Sequence, residues 1–319
     1  MDLKKLKILF PDLKIYTDVS MAEYCSFRAG GRATALIMPG NISELRGVLS
    51  YMNDENIPHI ILGNGSNTLF SDGDHELAVI KLDDKSEDFS FIRFNGTEKD
   101  EEITAEAGAA GLLSVFARRV SQEPWSLTGT EGLSGIPGSV GGAVFMNAGA
   151  YGYETKDILV SAHAVSADGT DERDFTPEEM GLSYRHSNFM ENGYIITSAV
   201  FRLRKDDQQA IKDRMADFTE RRVTKQPLQY PSAGSTFKRP EGYFAGKLIE
   251  DAGLKGACVG AAQVSELHAG FVINRGGASA DEILGLINKV RDTVYRDSGI
   301  TLEPEVRLIL NRDLDSFEY

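Results

Sequence analysis

The sequence predicts an α+β protein built from two modules, and three observations carry that prediction. Short apolar runs alternate with segments whose apolar residues fall at helical spacing. The length of 319 residues leaves room for two or three modules, each with its own core. The composition then changes near residue 205, where a charged amphipathic helix begins. We therefore expect residues 1–204 to form one α+β region with two ligand loops, and residues 205–319 to form a second, smaller α+β domain.

In the first region, the loop SFRAGGRAT turns at Gly30 and Gly31, and residues 35–38 follow as an apolar strand. Ile42, Leu45, Leu49 and Met52 repeat at helical spacing behind two possible caps, Asn41 and Ser43. Residues 59–62 form a strand that runs directly into GNGSN, and residues 78–82 form another after the acidic turn DGDHE. The charged stretch 83–100 reads as a surface hairpin, with a strand at 103–106 behind it. Leu112, Val115, Phe116 and Val120 share one face of a helix that ends before Pro124. Residues 158–166 and 194–203 read as strands, with Asp168 and Gly169 as a turn.

In the second region, Ile211, Met215 and Phe218 define a helix that stops before Pro227. Ser279 and Glu282 form a capping box for a helix carrying Ile283, Leu286, Ile287, Val290 and Val294, closed near Gly299. The last strand, 306–310, follows Pro304 and puts Glu305 at its entrance, either as a solvent-facing strand end or as a site residue.

Three segments look built for ligands. In GNGSN, successive amides around Gly63 and Gly65, with the small polar side chains of Asn64, Ser66 and Asn67, suit a pyrophosphate; the alternative is an ordinary Asn/Gly turn. The run EGLSGIPGSVGGAVFMNAGAY at 131–151 holds seven glycines and prolines among apolar residues, too apolar for a flexible linker, and reads as a buried wall for a flat or anionic ligand; the alternative is a glycine-rich turn between core strands. From Arg221 to Lys247 there are six basic residues and one acid in a chain of net charge −14. That island either faces solvent or receives an anion beside the small-residue loop PSAGSTF.

Other chemistries are disfavoured. An acidic chain opposes non-specific nucleic-acid binding, which depends on neutralising phosphates. The N-terminus shows no secretory apolar region, and no stretch approaches a membrane span. Cys25 and Cys258 are far apart and match no disulfide or metal spacing, which fits a reducing cytoplasm. The five histidines never fall three or four residues apart, and no CxxC occurs, so no metal is expected. Thr68 stands where a GxGxxG motif needs its third glycine, and no GxxxxGK[ST] is present.

Seven segments in order, GNGSN, GIPGSVGGAVFMNAGAYG, YRHSNF, RRVTKQP, PSAGSTFKRP, HAGFVIN and LEPEV, resemble the UDP-N-acetylenolpyruvoylglucosamine reductase (MurB) family across roughly residues 22–310. After YRHSNF the chain enters ENGYIITSAVFRL without the tyrosine-bearing insertion of one branch, so it resembles the shorter type II subclass, for which a tyrosine lid is not implied.

The resemblance implies a two-part FAD-binding region of the vanillyl-alcohol-oxidase (PCMH) type over 1–204, split near 83–100, and a substrate-binding domain over 205–319. It also implies a cytoplasmic monomer that uses NADPH and non-covalent FAD to reduce UDP-N-acetylglucosamine enolpyruvate to UDP-N-acetylmuramate in peptidoglycan biosynthesis. Cofactor contacts implied this way are Gly63, Asn64, Gly65, Ser66, Asn67, Gly129, Ile136, Pro137, Gly138, Ser139, Gly141 and Gly142. Arg185 matches the arginine that stabilises the substrate carboxylate, Ser235 the proton donor, and Glu305 the glutamate that polarises the carboxylate or orients Arg185 and water. Ser232 competes with Ser235, and Glu303 with Glu305, on sequence alone. Asn147, Tyr151, Arg222, Lys225 and Lys238 are expected on the substrate side, the basic ones toward diphosphate. Two rivals stay open: an oxidase of the same superfamily with covalent FAD, and a non-catalytic sugar-nucleotide binder.

Overall fold

The computed structural model describes residues 3–311. The chain divides into two compact units, neither continuous in sequence. One comprises Met1–Thr17, Ala35–Asn64 and Leu77–Glu220; the other comprises Asp18–Thr34, Gly65–Glu76 and Arg221–Tyr319. These units follow the fold rather than the linear boundary expected at residue 204.

The first unit is organised on an antiparallel sheet in the order Glu172–Phe175, Leu159–Val165, Ile195–Lys205, Glu102–Gly108, Ile92–Asn95, with Leu127–Thr128 also on the central strand. The central strand is buried on every residue from Ile195 to Ala199, as a strand covered on both faces is, and alternates beyond, with Phe201 and Leu203 buried and Arg202 and Arg204 exposed. Helix Leu113–Ser121 packs Leu113, Phe116 and Val120 inward, while Val115 stays 51% exposed; the apolar stripe is narrower than the spacing predicts. Helix Ile42–Asp54 is capped by Asn41, whose Oδ1 accepts from the Glu44 amide at 2.9 Å; Ser43 lies inside the helix.

The charged stretch 83–100 is more than a surface hairpin. Phe89 is fully buried, and Ile92–Asn95 forms the sheet edge against Glu102–Gly108. The helix Gln208–Lys225 buries only Ile211 of its expected apolar face. Polar contacts and the stacking of Phe218 on Tyr151 also hold it: Ser126 Oγ donates to Gln208 at 2.6 Å, and Arg214 Nη2 reaches Glu131 at 2.8 Å.

In the second unit, a three-stranded antiparallel sheet (Cys258–Val259, Ala262–Val264, Val272–Asn274) shares its core with helix Ala280–Ser298. The helix turns Ile283, Leu286, Ile287, Val290 and Val294 inward, and Ser279 and Glu282 form the reciprocal capping box that the sequence predicts. It ends on Gly299 at φ 73°, where a left-handed residue closes the last turn. Thr68–Phe70 pairs in parallel with Arg307–Ile309, in the register Thr68↔Arg307. This pairing carries the end of GNGSN beside LEPEV across more than 200 positions of sequence.

Candidate functional site

Within the first unit, the structure brings together the two glycine-rich segments. Asn64 Nδ2 donates to the Pro137 carbonyl at 2.5 Å, and a side-chain carbon at Gly63 would lie 2.8 Å from Ser139 Oγ. The run at 131–151 is not an extended wall. It contains a 3-10 turn, Glu131–Leu133, and a short helix, Val140–Phe145, capped by Ser139 Oγ on the Gly142 amide at 3.2 Å. Gly141 is required because an added carbon would meet the Ala109 side chain at 2.9 Å; its amide donates to the Ala109 carbonyl at the same distance. The Gly138 carbonyl accepts from Leu113, and Ile136 packs against the core. Gly129 has φ 115°, and its amide donates to Glu131 Oε2 at 2.7 Å.

Gly65, at φ 63°, opens the second unit's share of GNGSN. Any side chain there would strike the Tyr24 carbonyl at 1.8 Å. The Gly65 carbonyl accepts from the Ser26 amide at 3.0 Å, and the Ser66 carbonyl from Ser26 Oγ at 3.3 Å. Gly63 and Asn64 are exposed. Exposed backbone, next to glycines that tolerate no side chain, is the construction that a dinucleotide cofactor needs for close approach. The residues fit FAD.

The expected substrate-side residues of the first unit share a backbone property. Asn147, Tyr151 and Arg185 lie at φ 42°, 56° and 55°, among seven non-glycine residues with positive φ in the described chain. Left-handed geometry costs a side-chain-bearing residue of order 1 kcal/mol or more, and it persists where surroundings over-determine it. Here they do. Arg185 Nη2 donates to the Gly149 carbonyl at 2.9 Å, with its guanidinium 4.9 Å from the Tyr184 ring centre. Tyr151 stacks on Phe218 at 4.9 Å with planes 6° apart.

Asn147 is fully buried, its Nδ2 donates to Ser183 at 2.8 Å and to Glu154 at 3.2 Å, and its Oδ1 accepts from the Lys156 amide at 2.9 Å. All three of these bonds are made inside the unit, and they brace the Arg185 loop. The Lys156 ammonium at 2.7 Å, with help from Asn147, holds the Glu154 carboxyl below the ordinary carboxylate range.

In the second unit, Ser235 and Glu305 lie on adjacent paired segments. The Glu305 amide donates to the Thr236 carbonyl at 2.8 Å, and Phe237 bridges Pro304. Ser235 is exposed and donates to the Phe237 carbonyl at 3.1 Å. Gly234 beside it, at φ 76°, has open space where a side chain would project. Ser232 is half-buried. Glu303 and Lys238 form an ion pair at the surface. Lys225 is exposed and Arg222 half-buried at the end of their helix.

Four residues near these segments were not legible as site partners in the sequence. His268 of HAGFVIN accepts the Gly270 amide on Nδ1 at 3.1 Å, which puts the proton of the neutral ring on Nε2. Burial pushes its pKa below the ordinary 6.5. Phe218 was legible only as a helix-face apolar residue. The Glu131–Arg214 pair joins positions 83 apart and leaves no local signal. Among the described residues, no group of histidine, cysteine or acidic side chains could hold a metal, and no helix is long and apolar enough to cross a membrane.

Comparison with known proteins agrees with this division of labour. Residues 33–173 match the FAD binding domain family, and residues 226–309 match the C-terminal domain family of UDP-N-acetylenolpyruvoylglucosamine reductase. The chain is 45% identical over 306 residues to the UDP-N-acetylenolpyruvoylglucosamine reductase of Alkaliphilus oremlandii, covering 96% of this chain and 97% of that one. It is 46% identical to that of Clostridioides difficile over 299 residues, 93% of each. The crystal structure of the reductase MurB from Thermus caldophilus superposes with a TM-score of 0.76 at 33% identity, covering 93% of this chain and 98% of that one. The chain, an α+β protein with an FAD-binding region followed by a smaller domain, belongs to the UDP-N-acetylenolpyruvoylglucosamine reductase family.

Proposed function

We propose that this protein reduces UDP-N-acetylglucosamine enolpyruvate to UDP-N-acetylmuramate, with non-covalent FAD as cofactor and NADPH as co-substrate. The observation that carries the reading is the pairing of Ser235 and Glu305 on neighbouring backbone, with the Glu305 amide 2.8 Å from the Thr236 carbonyl. Non-covalent FAD, when bound, would supply the hydride chemistry that links NADPH to the methylene carbon of the enolpyruvyl group.

The chain's residues handle the charge and the proton. Addition at the methylene carbon pushes an electron pair onto the neighbouring carbon and its carboxylate. Arg185 stabilises that developing enolate, because a guanidinium stays charged and grips a carboxylate at two points. Glu305 is assigned to polarising the substrate carboxylate or orienting water. Ser235 gives its hydroxyl proton to the carbanionic carbon and recovers one from solvent; the carbanion is basic enough to take a proton from an alcohol. Arg222 and Lys225 are assigned to the diphosphate of the sugar nucleotide or the phosphates of NADPH.

The test follows NADPH oxidation at 340 nm with the enolpyruvyl substrate, and product by mass, for wild type and Ser235→Ala. The reading predicts turnover in wild type. In the variant, flavin reduction persists and product formation falls on the order of a hundredfold or more. Full turnover by Ser235→Ala overturns the proton donor. No product from wild type overturns the function.

A further inference from the structure

We infer that Asn67 is a positioning residue for Glu305, so that the last residue of GNGSN sets the geometry of the reductive carboxylate. The inference rests on the function proposed above. Asn67 grips the LEPEV segment twice: its Nδ2 donates to the Glu305 carbonyl at 2.9 Å, and its own carbonyl accepts from the Arg307 amide at 3.0 Å. The two bonds bracket Val306, which is 4% exposed and belongs to the unit's core, and they lead into the parallel pairing of Thr68 with Arg307. On its other side, the Glu305 amide is fixed to the Thr236 carbonyl, next to Ser235. The Glu305 backbone is thus suspended between the end of the loop assigned to FAD and the segment assigned to proton delivery.

An asparagine serves this purpose for a stated reason. It offers an N–H donor to Glu305 from a side chain short enough to stay within the loop. An aspartate of the same shape presents oxygen to oxygen, and alanine leaves the Glu305 carbonyl without this donor. Either change leaves the loop's backbone amides, the groups suited to a pyrophosphate, in place. Asn67 therefore acts through Glu305.

The test uses the FAD-loaded enzyme carrying Asn67→Asp or Asn67→Ala, with the two half-reactions followed separately by anaerobic stopped-flow. With both rates measured on the FAD-loaded fraction of each variant, we expect the oxidative half-reaction to be slowed several-fold more than flavin reduction by NADPH. Reoxidation by UDP-N-acetylglucosamine enolpyruvate should slow about tenfold at saturating substrate, the effect of losing one aligned hydrogen bond. A double-mutant cycle adds a readout that a general loop defect does not move: in a Glu305→Ala background, Asn67→Ala should cost no more than about twofold. Unchanged reoxidation, equal slowing of both half-reactions with loss of FAD, or an additive cycle each overturns the inference. If either variant fails to fold, Asn67→Ser, which retains a shorter donor, is measured by the same criteria. A wild-type flavin that the enolpyruvyl substrate does not reoxidise overturns the proposed function itself, whereas reoxidation in wild type and equally in the variants overturns only the role of Asn67.

Discussion

Arg214 and Glu131 form an ion pair in which the carboxylate is wholly buried: the guanidinium reaches Oε1 from Nη2 at 2.8 Å and from Nε at 3.0 Å, while Glu131 also accepts from Thr128 and from the Gly129 amide. The pair fixes the entry to the glycine-rich run from a helix that buries little apolar surface of its own. Removing one partner of such a pair strands the other in the interior. Arg214→Ala should therefore destabilise the first unit by about 3 kcal/mol. Urea unfolding followed through Trp125, the chain's single tryptophan, stacked on Phe94 in the same unit, checks this. An unchanged midpoint contradicts it.

The glycines differ in what they tolerate. At Gly65 an alanine methyl would sit 1.8 Å from the Tyr24 carbonyl with φ at 63°, whereas at Gly152 nothing lies within 4 Å and only φ 87° opposes a side chain. Gly65→Ala should displace the loop and lose FAD during gel filtration. Gly152→Ala should retain FAD and lose about 1 kcal/mol of stability. Equal behaviour of the two variants would refute the distinction.

The two cysteines should react as different species. Cys25 is buried, and burial pushes its thiol pKa up to about 12; Cys258 is exposed. Only thiolates are alkylated readily. At pH 8 a maleimide should label one thiol per native chain, and Cys258→Ser should abolish that labelling. Two fast thiols would show that Cys25 is open.

His268 gives the native state a dependence on pH. Its pKa is depressed by burial, so between the folded value and the ordinary 6.5 the unfolded chain binds the extra proton. The stabilisation is complete above about pH 6.5 and is lost as pH falls through the folded pKa. Chemical denaturation between pH 7 and 5 should show this loss, and His268→Gln should flatten it. A variant with the wild-type slope excludes His268 as the source.

Arg185 should not tolerate lysine. The guanidinium is held to the Gly149 carbonyl at 2.9 Å from a residue at φ 55°, and an ammonium lacks the planar fork of parallel donors that matches a carboxylate. Arg185→Lys should lower kcat for the enolpyruvyl substrate on the order of a hundredfold while flavin reduction by NADPH continues. Steady-state and half-reaction kinetics together test this; full activity would remove Arg185 from the proposed mechanism.

Local chemistry made much of the fold legible. The capping box of Ser279 and Glu282, the Asn41 cap, the stop at Gly299 and the glycine-rich loops are written in adjacent residues, because caps and turns depend on neighbours within a few positions. The ordered motifs likewise carried the family. Spatial partners were not written locally. Asn147 reads as a polar residue in a loop, and only the tertiary structure shows its amide occupied by Ser183, Glu154 and Lys156. Lys238 reads as one cation of a basic island, and its pairing with Glu303 is visible only in space. The units themselves are discontinuous, since Thr68–Phe70 pairs with Arg307–Ile309 instead of with its sequence neighbours. By itself the sequence determined the elements, their ends and the chemistry on offer. The tertiary structure decided which side chains remain available for that chemistry, because hydrogen-bond and ion-pair partners are chosen by proximity in space after the chain has closed on itself.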